Sequence, residues 1–387
     1  MKKICVLTAT RAEYGLLSSL IRKMAVHPDI DMRLAVCGMH LSPEFGLTYH
    51  EIEADGIRID RSIETLMSSD TPSAISKSMG IALAGFSEYF AETIPDALLV
   101  LGDRYEVLAV CIAAMNAGIP VFHIHGGEIT EGAVDDAIRH CISKMSYLHF
   151  TSTEEYRKRV IQLGEAPDRV FNVGALGVEN ALGIECMSTD ELQEALGWKL
   201  SEKYALLTFH PVTLERGTAS EQIDELLNAI GQFPDVSFIA TKANADAYGR
   251  VINSKIADYA ETHENLRLFD SLGKLRYLSA MKNAAFVIGN SSSGIIEAPA
   301  FGIPTVNIGD RQKGRARGNT VIDCAPNCDS IARAIERALD METDSGSSPY
   351  GSGQTSDKIL DIILKLDFDG INLKKQFYDL NQIPDER

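Results

Sequence analysis

The sequence is short of positive charge. Its 387 residues carry 37 Lys and Arg against 54 Asp and Glu, a formal net charge of −17. That balance argues against nucleic acid or an anionic membrane as the main partner. Long apolar runs are missing too. The first, Ile4-Cys5-Val6-Leu7 behind Lys2-Lys3, is too short for a signal peptide or a membrane span. It reads as a buried strand, and the expectation is a soluble, cytoplasmic protein. The seven cysteines show no repeated short spacing, so a disulfide framework is excluded and free thiols in a reducing compartment are expected. Cys324 and Cys328 lack a second pair to complete a metal site. No G-x-G-x-x-G follows the first strand, where Thr10-Arg11-Ala12-Glu13-Tyr14-Gly15 stands instead, which argues against a nicotinamide or flavin dehydrogenase. No P-loop lysine motif occurs either.

Apolar residues make up 45% and charged residues 24% of the chain, the composition of an ordinary globular protein. The length exceeds a single core and predicts two domains. Short apolar runs alternate with helical patterns: Ile4–Leu7, Met32–Val36, Ala97–Leu101, Pro120–Ile124, Tyr147–Phe150 and Val170–Val173. A second series follows at Tyr204–Phe209, Val236–Ala240, Leu266–Phe269, Ala284–Ile288 and Thr305–Ile308. Such runs predict parallel sheets covered on both faces, hence an α/β chain with two doubly wound, Rossmann-like domains. Gly102-Asp103 and Gly118-Ile119-Pro120 are echoed by Gly289-Asn290 and Gly302-Ile303-Pro304. The expected division is 1–180, carrying acid/base residues, and 181–365. A helical segment at 366–387 is expected to pack back on the first domain. Thr343–Asp357, rich in Ser and Gly, predicts an exposed loop.

Open parallel sheets bind ligands beyond the carboxyl ends of their strands, and polar residues collect there. Thr10-Arg11, Gly38-Met39-His40, Asp103-Arg104 and His125-Gly126-Gly127-Glu128 follow runs of the first half. His210-Pro211, Asn290-Ser-Ser-Ser-Gly294 and Asp310-Arg311 follow runs of the second. If the two edges face one another, a polar cleft lies between the domains. Three serines and a glycine between strand and helix suit a diphosphate, although a plain Ser N-cap has the same form. Glu297 suits a ribose, or is a surface glutamate. Asp103, His125, Glu128, Glu131, Asp135 and Asp136 form the richest acid/base stretch. His123 and His125 share a strand face, but no third His is spaced to complete a metal site.

Taken together these motifs resemble the UDP-N-acetylglucosamine 2-epimerase family, specifically its hydrolysing branch. The matching stretches are Thr10–Gly15, Gly38–His40, Gly102–Glu106, His123–Glu128, Asp135–His140, Phe209–Pro211, Gly289–Gly294 and Asn307–Gly314. The resemblance implies a glycosyltransferase-B-type fold with UDP bound mainly by the second domain, 181–365, no metal or redox cofactor, and a homodimer or homotetramer. It implies removal of the C2 proton with expulsion of UDP, a glycal-type intermediate, then addition of water and reprotonation on the other face. By this resemblance Asp103 and Asp135 are catalytic carboxylates with Arg104 and Asp136 beside them, and His210 is an active-site histidine. Arg11, Ser291, Ser292 and Arg311 fall on diphosphate contacts and Glu297 on the ribose. His40, Asn290 and Gly294 stand with them on the substrate side. Some members have a catalytic Glu where this chain has His125, so His125 and Glu128 are both named for the second proton transfer. The implied substrate is UDP-N-acetylglucosamine, giving N-acetylmannosamine for sialic acid synthesis. The alternative is UDP-2,4-diacetamido-2,4,6-trideoxy-glucose, of the legionaminic acid route. A non-hydrolysing epimerase and a glycosyltransferase of the same fold are the further rivals.

Overall fold

Continuous apolar, β-branched runs cannot leave either face in water, and here they become the strands of two parallel sheets. A computed structural model describes residues 1–69, 71–130, 134–212, 217–243, 249–342 and 348–380. The first sheet holds β1 (Lys2–Thr8), β2 (Ile30–Cys37), β3 (Arg61–Ile63), β4 (Ala97–Leu101), β5 (Val121–Ile124), β6 (Leu148–Thr151) and β7 (Val170–Asn172). Their order is β3-β2-β1-β4-β5-β6-β7. The second holds β8 (Lys203–Thr208), β9 (Val236–Thr241), β10 (Leu266–Phe269), β11 (Phe286–Gly289), β12 (Thr305–Ile308) and β13 (Val321–Cys324). Its order is β10-β9-β8-β11-β12-β13.

The chain divides into two compact units. One comprises Met1–Glu128, Asp135–Leu176 and the stretch from Gln354 on; the other comprises Ile129–Val134 and Gly177–Gly353. In the first unit β1 shows why both sheet faces are covered. Ile4 and Val6 pack with Tyr14, Leu17 and Leu20 on one side. Cys5 and Leu7 pack with Phe86, Phe90 and Val110 on the other. In the second unit Leu207 joins Ile223 and Phe238, while Leu206 joins Leu192 and Met281.

The structure departs from the sequence expectation in four places. Strands β3 and β13 were not expected; each is a short edge strand with polar residues, so neither shows as an apolar run. The switch of units falls at Leu176/Gly177 rather than at 180. The helix Thr355–Lys365, expected in the second domain and partly as loop, belongs to the first unit, where Ile359 and Ile363 join the core around Leu17 and Met24. Lys2 Nζ caps its end by donating to the carbonyls of Ile363 (2.9 Å) and Leu364 (2.6 Å). Finally, the described residues 366–380 contain no helix. Asp367, Asp369, Gly370 and Asn372 are poor helix formers and stop the pattern just past Leu366. This stretch is tethered instead, through the Phe368 ring against Phe122 (5.9 Å) and the Tyr378 N–H donating to the Gly164 carbonyl (2.9 Å). Positions 343–347 and 381–387 of the expected loop and helix lie outside the described residues, as does Glu131. Among the described residues no helix is long and apolar enough to cross a membrane.

Candidate active site

Where the strand order of an open parallel sheet reverses, neighbouring helices leave on opposite faces and a gap opens beyond the strand ends. In the first unit that reversal falls between β1 and β4, and in the second between β8 and β11. Some of the sequence candidates sit there. Arg11 follows β1 and Asp103 and Arg104 follow β4; His210 follows β8 and Asn290–Gly294 follow β11.

Asp103 is held from an unexpected direction. Arg139, on the helix Val134–Met145 and only 2% exposed, donates to Asp103 Oδ2. The same guanidinium donates to the Glu128 backbone carbonyl (2.9 Å) and to Asp136 Oδ1 (3.5 Å). Asp103 Oδ1 has no partner among the described residues, and its side chain is 25% exposed. One oxygen is anchored and the other is presented. Asp135 and Asp136 occupy the first turn of that helix, half-buried, where the helix dipole favours a carboxylate. Asp136 also lies 3.5 Å from His140 Nε2. Arg139 lies in the stretch Asp135–His140, but Asp103 and the Glu128 carbonyl are too far along the chain for local spacing to reveal them as its partners.

The two histidines at the end of β5 part ways. His123 is fully buried, its Nε2–H donating to the Gly102 carbonyl (2.8 Å) while Nδ1 accepts from Ser143 Oγ (3.2 Å). A carbonyl only accepts, so this is the neutral Nε2–H tautomer. Burial lowers its pKa to about 3, and both nitrogens are in use. It braces the turn that carries Asp103. His125 sits at φ 68°, a left-handed backbone that a residue with a side chain adopts at a cost. Its Nδ1 lies 3.8 Å from Glu128 Oε1, which accepts from Ser152 Oγ (2.9 Å). The next residues turn tightly. A Cβ on Gly127 (φ 80°) would stand 2.4 Å from the Tyr156 carbonyl oxygen, so only glycine fits. Among the described residues no group of three or more His, Cys, Asp or Glu side chains could hold a metal ion.

Arg11 opens the helix Arg11–Val26 half-buried, without an ion-pair partner among the described residues. Behind it, Thr10 and Glu13 form a capping box, and Glu13 Oε2 accepts from the N–H groups of Ala9 (2.7 Å) and Thr10 (3.2 Å). The chain's own carboxylate thus fills the helix start that a dinucleotide-binding fold leaves for phosphate. Burial pushes the Glu13 carboxyl up to about 7, against the pull of Arg104 and the backbone. Arg104 meets the fully buried Glu106 through Nε (3.2 Å) and Nη2 (3.4 Å). His40 is buried between two hydroxyls, Thr8 Oγ1 on Nε2 (3.0 Å) and Thr48 Oγ1 on Nδ1 (2.8 Å). Burial lowers its pKa to about 4. Within the protein both ring nitrogens are spent on the scaffold.

In the second unit Asn290 is likewise committed inward. Its Oδ1 accepts from the His210 N–H (2.7 Å) and its Nδ2 donates to the His210 carbonyl (2.8 Å). Its own carbonyl accepts from Arg311 Nη1 (3.1 Å) and Gln312 Nε2 (2.8 Å). One residue therefore ties β8, β11 and the Arg311 loop together. Gly289 (φ 132°) lets β11 approach β8; a Cβ there would lie 2.0 Å from the Thr208 carbonyl oxygen. Ser291 caps the short helix Ser292–Ile296, its Oγ 3.0 Å from Ser293 Oγ, which also meets Tyr277 OH (2.6 Å). Ser291 and Ser292 stay half-buried. Gly294 packs on β12, where a Cβ would meet Thr305 Cγ2 at 2.7 Å. Glu297 lies against the backbone of Gly177, where a Cβ would stand 2.0 Å from its Oε1.

Two Rossmann-like domains with polar strand-end clusters define an α/β protein of the glycosyltransferase-B type. The sequence model of UDP-N-acetylglucosamine 2-epimerase matches residues 22–364. The chain is 44% identical over 342 residues, 88% of each chain, to a Campylobacter jejuni protein named GDP/UDP-N,N'-diacetylbacillosamine 2-epimerase (hydrolyzing). It is 43% identical over 355 residues, 90% of each chain, to polysialic acid biosynthesis protein P7 of Escherichia coli. In three dimensions it matches UDP-GlcNAc 2-epimerase from Neisseria meningitidis bound to UDP-GlcNAc, with a TM-score of 0.80 at 19% identity, covering 95% of this chain and 100% of that one. The chain belongs to the UDP-N-acetylglucosamine 2-epimerase family.

Proposed function

We propose that this protein is a hydrolysing 2-epimerase of a UDP-linked 2-acetamido sugar, working without metal or redox cofactor. A unit 1 group removes the C2 proton as the C1–O bond to UDP breaks, leaving a C1=C2 glycal. Water then adds its oxygen to C1, and a proton returns to C2 on the opposite face. The products are UDP and a free manno-configured sugar. Asp103, Asp135 and the His125/Glu128 pair move protons. His210, Ser291, Ser292, Arg311 and Arg11 take the diphosphate, whose negative charge grows as the bond breaks, and Glu297 takes the ribose. The observation that carries this reading is Asp103, anchored through Oδ2 on a buried arginine and presenting Oδ1 at a strand-order reversal.

The substrate proposed first is UDP-N-acetylglucosamine, which yields N-acetylmannosamine. A second reading, UDP-N,N'-diacetylbacillosamine, is favoured by the name of the Campylobacter jejuni relative. Both sugars are tested together by NMR in deuterated water. The expected result is release of UDP and a free manno sugar carrying deuterium at C2, faster from one substrate. No release of UDP, or a gluco product that keeps its C2 proton, overturns the proposal.

A further inference from the structure

We infer that Arg139 is the positioning residue for proton transfer, fixing Asp103 so that Oδ1 alone is offered to the substrate; this rests on the proposed role of Asp103. A guanidinium 2% exposed is removed from water, and that loss has to be offset by good partners. Arg139 reaches acceptors on three different segments, among them the carboxylate after β4, the Glu128 carbonyl after β5, and Asp136 in its own helix. Its planar fork sets directions as well as distances, which a lysine ammonium cannot do. With Oδ2 held, rotation of the Asp103 carboxylate is blocked. His123, through Gly102, fixes the backbone on which it stands. The Glu128 segment, with His125 at its start, is drawn to the same point. A single buried group thus aligns two of the acid/base segments.

The competing role is a purely structural ion pair. The full-length protein with Arg139→Ala and Arg139→Lys separates the two. Misplacing a reacting group by about 1 Å lowers turnover by about 10²-fold. Both variants should therefore lose kcat by roughly 10²-fold, with KM and the Kd for UDP unchanged. Millimolar guanidinium should restore part of the kcat of Arg139→Ala. Wild-type kcat in Arg139→Lys overturns the inference, and so does a kcat loss in Arg139→Ala that guanidinium does not reverse. Should Arg139→Ala lose its native circular dichroism, Arg139→Lys carries the test, because it keeps the charge and most of the volume. Asp103→Asn, assayed alongside, keeps the two claims apart. If it turns over normally, the reading of Asp103 is wrong. If it is inactive while Arg139→Lys behaves as wild type, only the positioning role falls.

Discussion

The side-chain amide of Asn290 grips the backbone of His210 at both ends, accepting from its N–H at 2.7 Å and donating to its carbonyl at 2.8 Å. Asn290 is 1% exposed, so no water replaces either bond. Asn290→Asp keeps the acceptor and turns the donor into an oxygen facing a carbonyl. An unsatisfied buried group of this kind costs about 1–3 kcal/mol. The variant should show that loss in its urea midpoint, with reduced turnover because His210 is no longer fixed. Unchanged stability would mean the backbone of His210 is held by other means.

His125 makes an opposite trade. At φ 68° a β-carbon is strained, and glycine adopts that backbone freely. His125→Gly should raise the melting temperature, by a stability gain of about 1 kcal/mol, while turnover falls by at least about 10²-fold if the imidazole moves a proton. A variant that is more stable and fully active would assign the second proton transfer to Glu128.

Glu13 predicts a pH dependence of stability. Burial raises its folded-state pKa to about 7 from 4.5. A carboxyl raised on folding contributes stability that is complete below the unfolded pKa and lost as pH rises through the folded one. Relative to Glu13→Gln, which does not titrate, the wild type should lose up to about 3 kcal/mol between roughly pH 4 and pH 8. A stability difference that stays flat across that window would contradict it.

Lys375 ties the non-helical C-terminal stretch to the first unit. Its ammonium donates to Glu165 Oε2 (2.5 Å) and to the carbonyls of Lys144 (2.9 Å) and Ser146 (2.6 Å). Glu165 is 1% exposed. Burial alone would raise its pKa, but His149, Lys144 and Lys375 together hold it at about 2. Removing one partner of a buried ion pair costs about 3–5 kcal/mol, at the lower end here because Lys144 and His149 stay. Lys375→Met should unfold at lower urea, and limited proteolysis should cleave beyond residue 366 faster than in wild type. Equal cleavage rates would mean that the Phe368 and Tyr378 contacts suffice.

The sequence by itself determined the parallel architecture and most of the strand-end candidates. Both follow from local pattern: an apolar run must be buried, and the residue after it stands at the sheet's carboxyl edge, as Asp103, His210 and Asn290 do. Tertiary structure decided which partners hold those residues. The side chain of Asn290, in the turn named for the substrate, is engaged with the backbone of His210. Of two histidines two residues apart, His123 is locked as a neutral brace while His125 sits on strained backbone. Arg139, silent in the sequence, is the cation at the centre of the carboxylates, and Glu13 fills a helix start. The helix Thr355–Lys365 joined the first unit because its apolar face fits that core. Periodicity and propensity are properties of neighbours along the chain. Desolvation and choice of partner depend on which distant segments meet, and only the folded chain decides that.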